Sequence, residues 1–431
     1  MVKFNYNKIL LCVLLFVFCS QMVLAQQEVT TGKDFGIGGR AMAMGGAFIG
    51  TASDSTALHW NPAGLSQIKR MEIYGALSHE KLEADTEYFG NPESTFVSKT
   101  KPNSFGLVIP IPTYRGGMAF GIGINRLQSY DSRIRFRGFN ELSLDEDPEF
   151  GLLFIDELTK ESGGLYVWDF GGAVEVAPGV SLGGTLSFIN GQYDYDLSLD
   201  ADDVENLDMD FDGISYRDTI QSDYFGVEGK IGILAQLGEK FSFGGTIGIP
   251  LDFTVEEYWS QESFYLYDDG VDESDFEEGI VDYDISRPFK FSGGIALKPV
   301  TGFTIATDIS YTDWTQTEYS EPPSEDITNE VFIEEYKDTF QFRIGGEYTI
   351  PNAGLSLRAG YTIDPLPYEP EGMNIDTDRQ YISFGMGMML DEMLFLDAAY
   401  VRGFWKESSE DGIIVKDRSS NRIFLSAGYR F

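Results

Sequence analysis

The sequence predicts an all-β protein, a 14-stranded antiparallel transmembrane β-barrel with a small N-terminal hatch in its lumen. Three observations indicate this fold class. From Met71 onward apolar and polar residues alternate, short and long connections alternate between these runs, and the chain ends in the aromatic Phe431. After Gln26 no apolar stretch approaches the roughly 18 residues of a membrane-spanning helix. A barrel strand shows only half of its residues to lipid, so its hydropathy stays low.

We divide the chain into a signal peptide over residues 1–25, the hatch over 26–70 and the barrel over 71–431. Lys3 and Lys8 give the first segment a positive start, and residues 9–19 are apolar. Val23 and Ala25 fit a small-residue cleavage site. We therefore expect export through a cleaved signal peptide and insertion into the cell outer membrane.

Composition disfavours several classes of function. Both cysteines, Cys12 and Cys19, lie in the predicted signal peptide, so we expect no disulfide and no cysteine-based metal site. The two histidines, His59 and His79, have no recognisable serine partner, so a hydrolase is disfavoured and no enzyme is expected. The formal net charge of -38 argues against a nucleic-acid partner. We also expect no cofactor.

The alternating runs predict 14 strands. Their ranges are 71–79, 102–111, 116–130, 164–177, 180–199, 216–237, 240–259, 283–298, 302–318, 335–350, 354–366, 377–390, 393–407 and 419–431. An even number of strands places both ends of the barrel on the periplasmic side.

The connections between these runs alternate strictly in length. The short ones carry turn-forming residues and lie at 112–115, 177–179, 238–240, 299–301, 351–353 and 391–392. The long ones include 80–101, 131–163, 200–215, 260–282 and 319–334. Short periplasmic turns and long outer loops are typical of outer-membrane barrels, whereas a soluble β-sandwich has no reason to alternate its loops in this way.

Two acidic runs, 200–213 and 261–282, fall in the predicted outer loops. Such runs are solvated. Either they contribute solubility alone, or they bind divalent cations that bridge to lipopolysaccharide. At the chain end, the lipid-facing side of the last strand is apolar: Ile423, Leu425, Ala427, Tyr429 and Phe431. This ending resembles the terminal signal that barrel-assembly machinery recognises, so we expect that machinery and outer-membrane lipid as partners.

Residues 32–70, between the signal peptide and the first strand, are unusually rich in glycine. Residues 41–44 and 57–60 resemble short helices, and Asn61 can cap a further helix that starts at Pro62. The segment is too small to form a core of its own. It can fold inside a barrel, where glycine permits close packing against the wall.

Two blocks in this segment resemble a known family. Residues 39–48 read Gly-Arg-Ala-Met-Ala-Met-Gly-Gly-Ala-Phe, and residues 54–65 read Asp-Ser-Thr-Ala-Leu-His-Trp-Asn-Pro-Ala-Gly-Leu. Together they are similar to the hatch of the FadL/TodX (OMPP1) family of outer-membrane transport proteins. The resemblance implies a lumenal hatch, a lateral opening in the wall and a hydrophobic ligand. It implies that Asn61, Pro62 and Ala63 lie near the ligand path, although a purely structural role is equally open.

Two functions are therefore considered. The first is a passive channel for long-chain fatty acids or other hydrophobic small molecules, with lateral exit into the membrane. Lipopolysaccharide blocks apolar solutes, and a protein can offer them apolar pockets. The second, also suggested by the resemblance, is a shuttle or interaction protein of type IX secretion. The intact hatch blocks favour the channel.

The third predicted strand contains a candidate lateral gate. Its lipid-facing parity runs on to Arg126, whereas Leu127 would point inward, so parity breaks near Asn125. A bulge would correct the break. Gly121 and Gly123 would weaken the ladder just before it. The alternative is that Arg126 simply lies above the membrane.

A candidate capture site lies in the loop that follows. Asp147 and Pro148 fit the start of a helix. Its apolar face would carry Phe150, Leu153, Phe154 and Leu158. This face would line a collecting groove for the ligand or, equally, would pack over the barrel rim.

The ligand's head group is the last sequence-based hypothesis. Parity directs four cations inward: Lys290, Arg343, Arg358 and Arg379. A charge on the lipid-facing side would cost about 2–4 kcal/mol near the bilayer centre. Arginine suits carboxylates through its two-pronged donors, and Arg343 lies midway along its strand. The alternative is a wall network of these cations with the inward acids Asp308, Glu347 and Asp397.

Overall fold

The computed structural model describes residues 35–140, 153–205, 211–268, 270–271, 273–320, 322–323, 328–369 and 372–431. The predicted signal peptide lies outside these ranges. Among the described residues, no helix has the length and apolar character needed to cross a membrane. The molecule is built almost entirely from long antiparallel strands.

Seventeen strand segments are present in the described residues. They are β1 Glu72–Tyr88, β2 Asn91–Ile111, β3 Met118–Arg126, β4 Ser132–Asn140, β5 Leu153–Ala177, β6 Val180–Asp202, β7 Gly213–Leu237, β8 Phe241–Leu266, β9 Glu273–Ser286, β10 Lys290–Val300, β11 Phe303–Asp313, β12 Glu318–Tyr319, β13 Asp338–Ile350, β14 Leu355–Asp364, β15 Met373–Leu390, β16 Leu394–Ser409 and β17 Ile414–Arg430. The helices are α1 Gly39–Ala43, α2 Ala57–Trp60 and α3 Val331–Glu334, with 3-10 turns at Pro62–Gln67 and Trp314–Gln316.

These segments form 14 transmembrane spans, which confirms the predicted fold. β3 and β4 are two halves of one interrupted span, and so are β9 and β10, while β12 is a short strand that pairs with β9. The barrel closes by antiparallel pairing of β1 with β17, from Glu72 opposite Arg430 to Tyr88 opposite Ile414. Closure removes the exposed strand edges that lipid could not satisfy.

The six predicted short turns all connect neighbouring strands as expected, whereas three predicted long loops are largely wrong. Most of 80–101 and 260–282, and nearly all of the described residues of 131–163, form paired strand beyond the predicted spans. In 200–215 only residues 200–202 and 213–215 do so. β5 to β8 are 23–26 residues long, about twice what a tilted strand needs to span a bilayer. The extensions persist because their inner faces bury aromatic side chains against one another, including Tyr193, Tyr195 and Tyr224.

Inward and outward parity along the later strands agrees with the sequence pattern. On β13 the side chains of Gln341, Arg343 and Glu347 are buried, while Phe340 and Ile344 are exposed to lipid. On β17 Leu425 faces outward and Phe424 is buried. The period of two along a strand is sufficient to assign these faces because register is tightly coupled to the pleat.

The predicted capture helix is wrong over the part that the structure describes. Leu153, Phe154 and Leu158 belong to β5, paired with β4 and β6. Leu153 is buried, and Phe154 packs on Phe139 with 5.1 Å between the ring centroids. In the strand Leu153 faces the side opposite to Phe154 and Leu158, so these residues share no apolar face, and pairing on both sides of β5 decides in favour of the strand. Phe150 and the proposed helix start lie outside the described residues.

Candidate functional site: a sealed hatch and an interrupted wall

Residues 35–70 fill the lumen and pack against a ring of wall glycines. A Cβ added at any of these glycines would lie 2.2–3.3 Å from a hatch atom. The glycines that meet hatch atoms are Gly106, Gly121, Gly123, Gly171, Gly183, Gly232, Gly244, Gly294, Gly345, Gly360 and Gly385. They lie on ten spans or half-spans around the barrel, so hatch backbone approaches wall backbone nearly all the way round.

Gly121 and Gly123 belong to this ring, which corrects their predicted role as ladder-weakening gate residues. β3 pairs continuously with β2 and with β5 across both positions. Each glycine instead makes room for the side chain of Leu58 in the hatch; an added Cβ would lie 3.3 Å and 3.1 Å from its Cδ1. The missing side chains of these glycines allow Leu58 to pack against β3, and the backbone pairing of β3 with β2 and β5 remains intact.

Asn61 is the main polar anchor of the hatch. Its Oδ1 accepts a hydrogen bond from the backbone N–H of Ala63 at 3.1 Å, and Pro62 occupies the first turn of the 3-10 helix, as predicted. Its Nδ2 donates to the carbonyls of Ile49 at 2.9 Å and Ile233 at 3.0 Å, the latter on β7. Asn61, Pro62 and Ala63 do not line the cavities described below, and their place near a ligand path stays a prediction.

An ionic network fixes the hatch on the periplasmic side. Arg40 of α1 makes a two-pronged ion pair with Glu347, and Glu347 also accepts from Arg358 at 2.6 Å. Arg358 donates onward to Asp397 at 2.7 Å. Arg358 is therefore a wall-network residue in this structure, as the alternative interpretation expected. This charged floor separates the cavities above the hatch from the periplasmic mouth.

Asp308 on β11, the strand paired with β13, anchors a second point of the hatch. Its Oδ2 accepts the backbone N–H groups of Phe48 at 2.6 Å and Ile49 at 2.8 Å, and the residue is fully buried. A buried carboxylate is stabilised by such paired donors. The hatch is thus bonded to the wall at several points around its perimeter.

The wall is interrupted in the third span, between β3 and β4. Pairing with β5 places Arg126 opposite Tyr166 and Ser132 opposite Glu161, so five residues, 127–131, face four on β5. One extra residue on one strand is what a bulge inserts, and it resets the facing of the side chains. The predicted break is present two residues beyond Asn125. Asn125 itself is paired and donates to Asp169 at 2.7 Å.

Beyond the break the ladder to β2 is lost. β3 pairs with β2 up to Asn125, whereas the described backbone ladders of β4 involve β5 alone. β4 leans into the lumen, because Thr86 on β1 donates to the Arg135 carbonyl. In addition, Arg418 on β17 donates to the Ser132 hydroxyl at 2.7 Å. A gap in backbone pairing consequently opens in the wall between β2 and β5.

Arg126 turns inward at this break rather than standing above the membrane. Its side chain is almost completely buried and pairs with Asp131 at 3.2 Å. Its guanidinium lies 4.4 Å from the ring centroid of Phe35, and Arg422 lies 4.8 Å from the same ring. The Phe35 N–H also donates to the Leu127 carbonyl at 3.0 Å. The break and the start of the described hatch therefore form one contact.

Three cavities lie in the lumen on the outer side of the hatch. The inner cavity of about 140 Å³ contains Trp60, Lys290 and Arg343 in its lining. The outer cavity of about 120 Å³ is lined in part by Tyr130, Asp131 and Arg418. A middle cavity of about 40 Å³ shares Leu127 and Arg343 with the inner one, and Phe35, Tyr381 and Arg422 with the outer one. Together they describe a path past the wall break.

The four predicted head-group cations occupy different environments. Arg343 lines both the inner and middle cavities, and Lys290 lines the inner cavity. Arg379 lines the outer cavity but pairs with Asp364 at 3.1 Å. In the part of the chain that the structure describes, no carboxylate oxygen lies within ion-pair distance of Arg343. Its guanidinium donates to Ser310 at 3.2 Å and to Gln341, and stacks 5.5 Å from the Trp60 ring.

The outer acidic hairpins do not form a metal centre in the described residues, where no three carboxylate or histidine side chains converge to hold a cation. At the tip of the β6–β7 hairpin, partial burial and the neighbouring Asp200, Asp212 and Asp156 raise the pKa of Asp202 above its ordinary value. Like charges therefore lie close together in this hairpin, and both interpretations of the acidic runs, solubility alone and cation bridging to lipopolysaccharide, stay predictions.

A closed 14-stranded barrel with a lumenal hatch and an interrupted wall is the architecture of an outer-membrane channel. The family model for outer membrane protein transport proteins (OMPP1/FadL/TodX) matches residues 169–419. The chain belongs to this family, whose members are outer-membrane β-barrels that pass hydrophobic small molecules. The matched region begins after the two hatch blocks, so barrel and hatch point to the same family independently.

Solved structures of low sequence identity share the fold. The Pseudomonas putida toluene transporter TodX aligns with a TM-score of 0.64 at 16% identity, covering 92% of this chain and 99% of that one. A Pseudomonas aeruginosa FadL homologue aligns with a TM-score of 0.62 at 15% identity, covering 93% and 100%. The Ralstonia pickettii toluene transporter TbuX gives 0.57 at 15%, covering 94% and 100%. No curated protein sequence matches the chain. These comparisons give no support to the type IX secretion shuttle.

Proposed function

We propose that this protein is a passive channel that admits long-chain fatty acids from outside and releases them sideways into the outer membrane. The observation that carries the proposal is the line of three cavities above a hatch that is bonded to the wall. The line runs along the strand break between β3 and β4, at residues 127–131. A route into the membrane at this break avoids the hatch and its ionic floor.

The cavities suit an amphiphile with one anionic end. Trp60 and Leu127 supply apolar surface, and Arg343 supplies a cation with no carboxylate oxygen within ion-pair distance in the described residues. Asp308 lies opposite Arg343 on β11, but its Oδ2 accepts from the N–H groups of Phe48 and Ile49. An anion that leaves water needs a partner because an unpaired buried charge is costly. Arginine meets a carboxylate with two parallel donors. We therefore assign the head group to Arg343, with Lys290 in the same cavity as a second cation.

The experiment compares binding of a long-chain fatty acid and of the alcohol of equal chain length to purified wild-type barrel and Arg343→Gln. The proposal predicts that the variant loses affinity for the acid and keeps its affinity for the alcohol. Arg358→Gln is the matched control, because that arginine lies on the periplasmic side of the hatch in a wall network. Equal weakening of acid and alcohol in Arg343→Gln would assign Arg343 to the wall. Absence of binding of either compound to wild type would overturn the fatty-acid proposal.

A further inference from the structure

The gap between β2 and β5 is bridged by one long side chain. Lys101 lies on β2 beyond the last backbone pair with β3. Its Nζ donates to Oδ2 of Asp131, in the break, at 2.5 Å and to the carbonyl of Gly163, on β5, at 3.1 Å. The side chain therefore joins both rims of the gap and the segment between them.

The carboxylate that receives Lys101 is itself held from inside the barrel. Asp131 is only 4% exposed and also pairs with Arg126 at 3.2 Å, while the Lys101 side chain is 25% exposed. Arg126 in turn stacks on Phe35 at the start of the described hatch. One oxygen of Asp131 thus accepts from both the wall residue Lys101 and the interior residue Arg126. Charge-assisted hydrogen bonds of this kind are stronger than hydrogen bonds between neutral groups.

We infer that Lys101, Asp131 and Arg126 form a latch that holds the wall opening closed, and that ligand exit requires Lys101 to release Asp131 and Gly163. The role of the latch in ligand exit rests on the proposed function, whereas the latch itself is inferred from the contacts of these three residues. Elsewhere along β2 and β5 near the hatch, regular strand pairing seals the wall. At the gap the wall is closed by side-chain hydrogen bonds of Lys101. These bonds can break without the loss of any backbone pairing between strands.

Removal of Lys101 should leave the fold intact. Asp131 keeps Arg126 as a partner when Lys101 is absent, so no buried carboxylate is orphaned. Lys101→Met preserves the length of the side chain and removes its donors. Lys101→Arg preserves the charge and should keep the latch. Lys99→Met is the matched control, because Lys99 lies two residues away on the same strand and is exposed.

The test is chemical labelling from the bilayer. Both native cysteines precede the described residues, at Cys12 and Cys19, so a Leu127→Cys substitution places a single thiol in the break of the signal-free barrel. The barrel is reconstituted in vesicles and treated with an alkyl maleimide dissolved in the bilayer or with a charged, water-soluble maleimide. Lys101→Met should speed labelling by the alkyl reagent several-fold and leave the charged reagent unchanged. Lys101→Arg and Lys99→Met should resemble the parent.

Unchanged labelling by the alkyl reagent in Lys101→Met would overturn the latch. An equal rise for both reagents would also overturn it, because general loosening of the lumen gives that result. The readout does not involve transport. A selective rise in labelling without ligand import would support the latch and contradict the proposed function. Ligand import without the rise would support the proposed function and contradict the latch.

Discussion

Arg40 in the hatch and Glu347 on β13 form a two-pronged ion pair, with Nε to Oε2 and Nη2 to Oε1 both at 3.0 Å. This pair joins a five-residue helix to the barrel wall, and Glu347 passes the connection on to Arg358. The hatch is therefore held by electrostatics on its periplasmic side as well as by close packing on the glycine ring.

Loss of this pair should make the lumen leaky. Arg40→Met removes three donors and leaves Glu347 with Arg358 alone, and breaking a largely buried pair by removing one partner costs about 3–5 kcal/mol, less here because Arg40 is 27% exposed. We expect higher ion conductance through single barrels in planar bilayers. Lys69→Met is the control, because Lys69 is a more exposed hatch cation whose pair with Glu175 spans 4.0 Å. Conductance that stays at the wild-type value in Arg40→Met would show that this pair does not retain the hatch.

Asn61 should stabilise the hatch through its Nδ2 donors as well as through the Oδ1 that caps the 3-10 helix. Asn61→Asp keeps the oxygen that accepts from Ala63 but loses the donors to the carbonyls of Ile49 and Ile233. Asn61→Ala loses both, and the missing cap alone costs about 1 kcal/mol. Amide hydrogen exchange over 48–66 should accelerate in both variants, and more in Asn61→Asp, because its second carboxylate oxygen faces two carbonyl oxygens at a fully buried position. Wild-type exchange in Asn61→Asp would show that the amide bonds to the wall contribute nothing.

The glycine ring can be tested with two adjacent residues on β10. Gly294 faces the hatch, and an added Cβ would overlap Asp308 and lie 3.0 Å from the Gly50 nitrogen, whereas a Cβ on Gly293 meets nothing within 4 Å. Overpacking of this kind costs about 1–3 kcal/mol. We expect Gly294→Ala to displace the hatch and expose the bond after Arg40 to trypsin, while Gly293→Ala stays protected. If trypsin cleaves neither variant after Arg40, the absence of a side chain at Gly294 is not needed for hatch packing.

The barrel could be predicted from sequence because its signals are local. Alternation along each strand and turn residues at fixed intervals determine strand number and facing, and β13 follows both. The outer strand extensions were missed because charged stretches such as 80–101 and 261–282 resemble loops, and only their pairing with neighbouring strands identifies them as strand. The parity break around Arg126 did predict an interruption, because an extra residue leaves a trace in the pattern itself.

The functional detail could not be read from the same signals. In the sequence Lys101 is the last residue of the predicted loop 80–101, and its role appears only in the structure, where β2 loses its neighbour and Asp131 lies within reach of its side chain. The inward glycines are recognisable as small residues, but their contact with the hatch depends on tertiary packing from distant strands. The alternation along its strand identified Arg343 as an inward cation. Only the structure distinguishes it from Arg358, which forms ion pairs with Glu347 and Asp397.

The most direct test of a channel for apolar molecules is uptake by cells whose outer membrane carries lipopolysaccharide and lacks a channel of this kind. Initial uptake of a labelled long-chain fatty acid and of a small polar sugar is measured with and without this protein. We predict that the protein raises fatty-acid uptake and leaves sugar uptake unchanged, because the hatch closes the lumen to polar solutes while the wall opening serves apolar ones. Increased sugar uptake together with unchanged fatty-acid uptake would contradict the account.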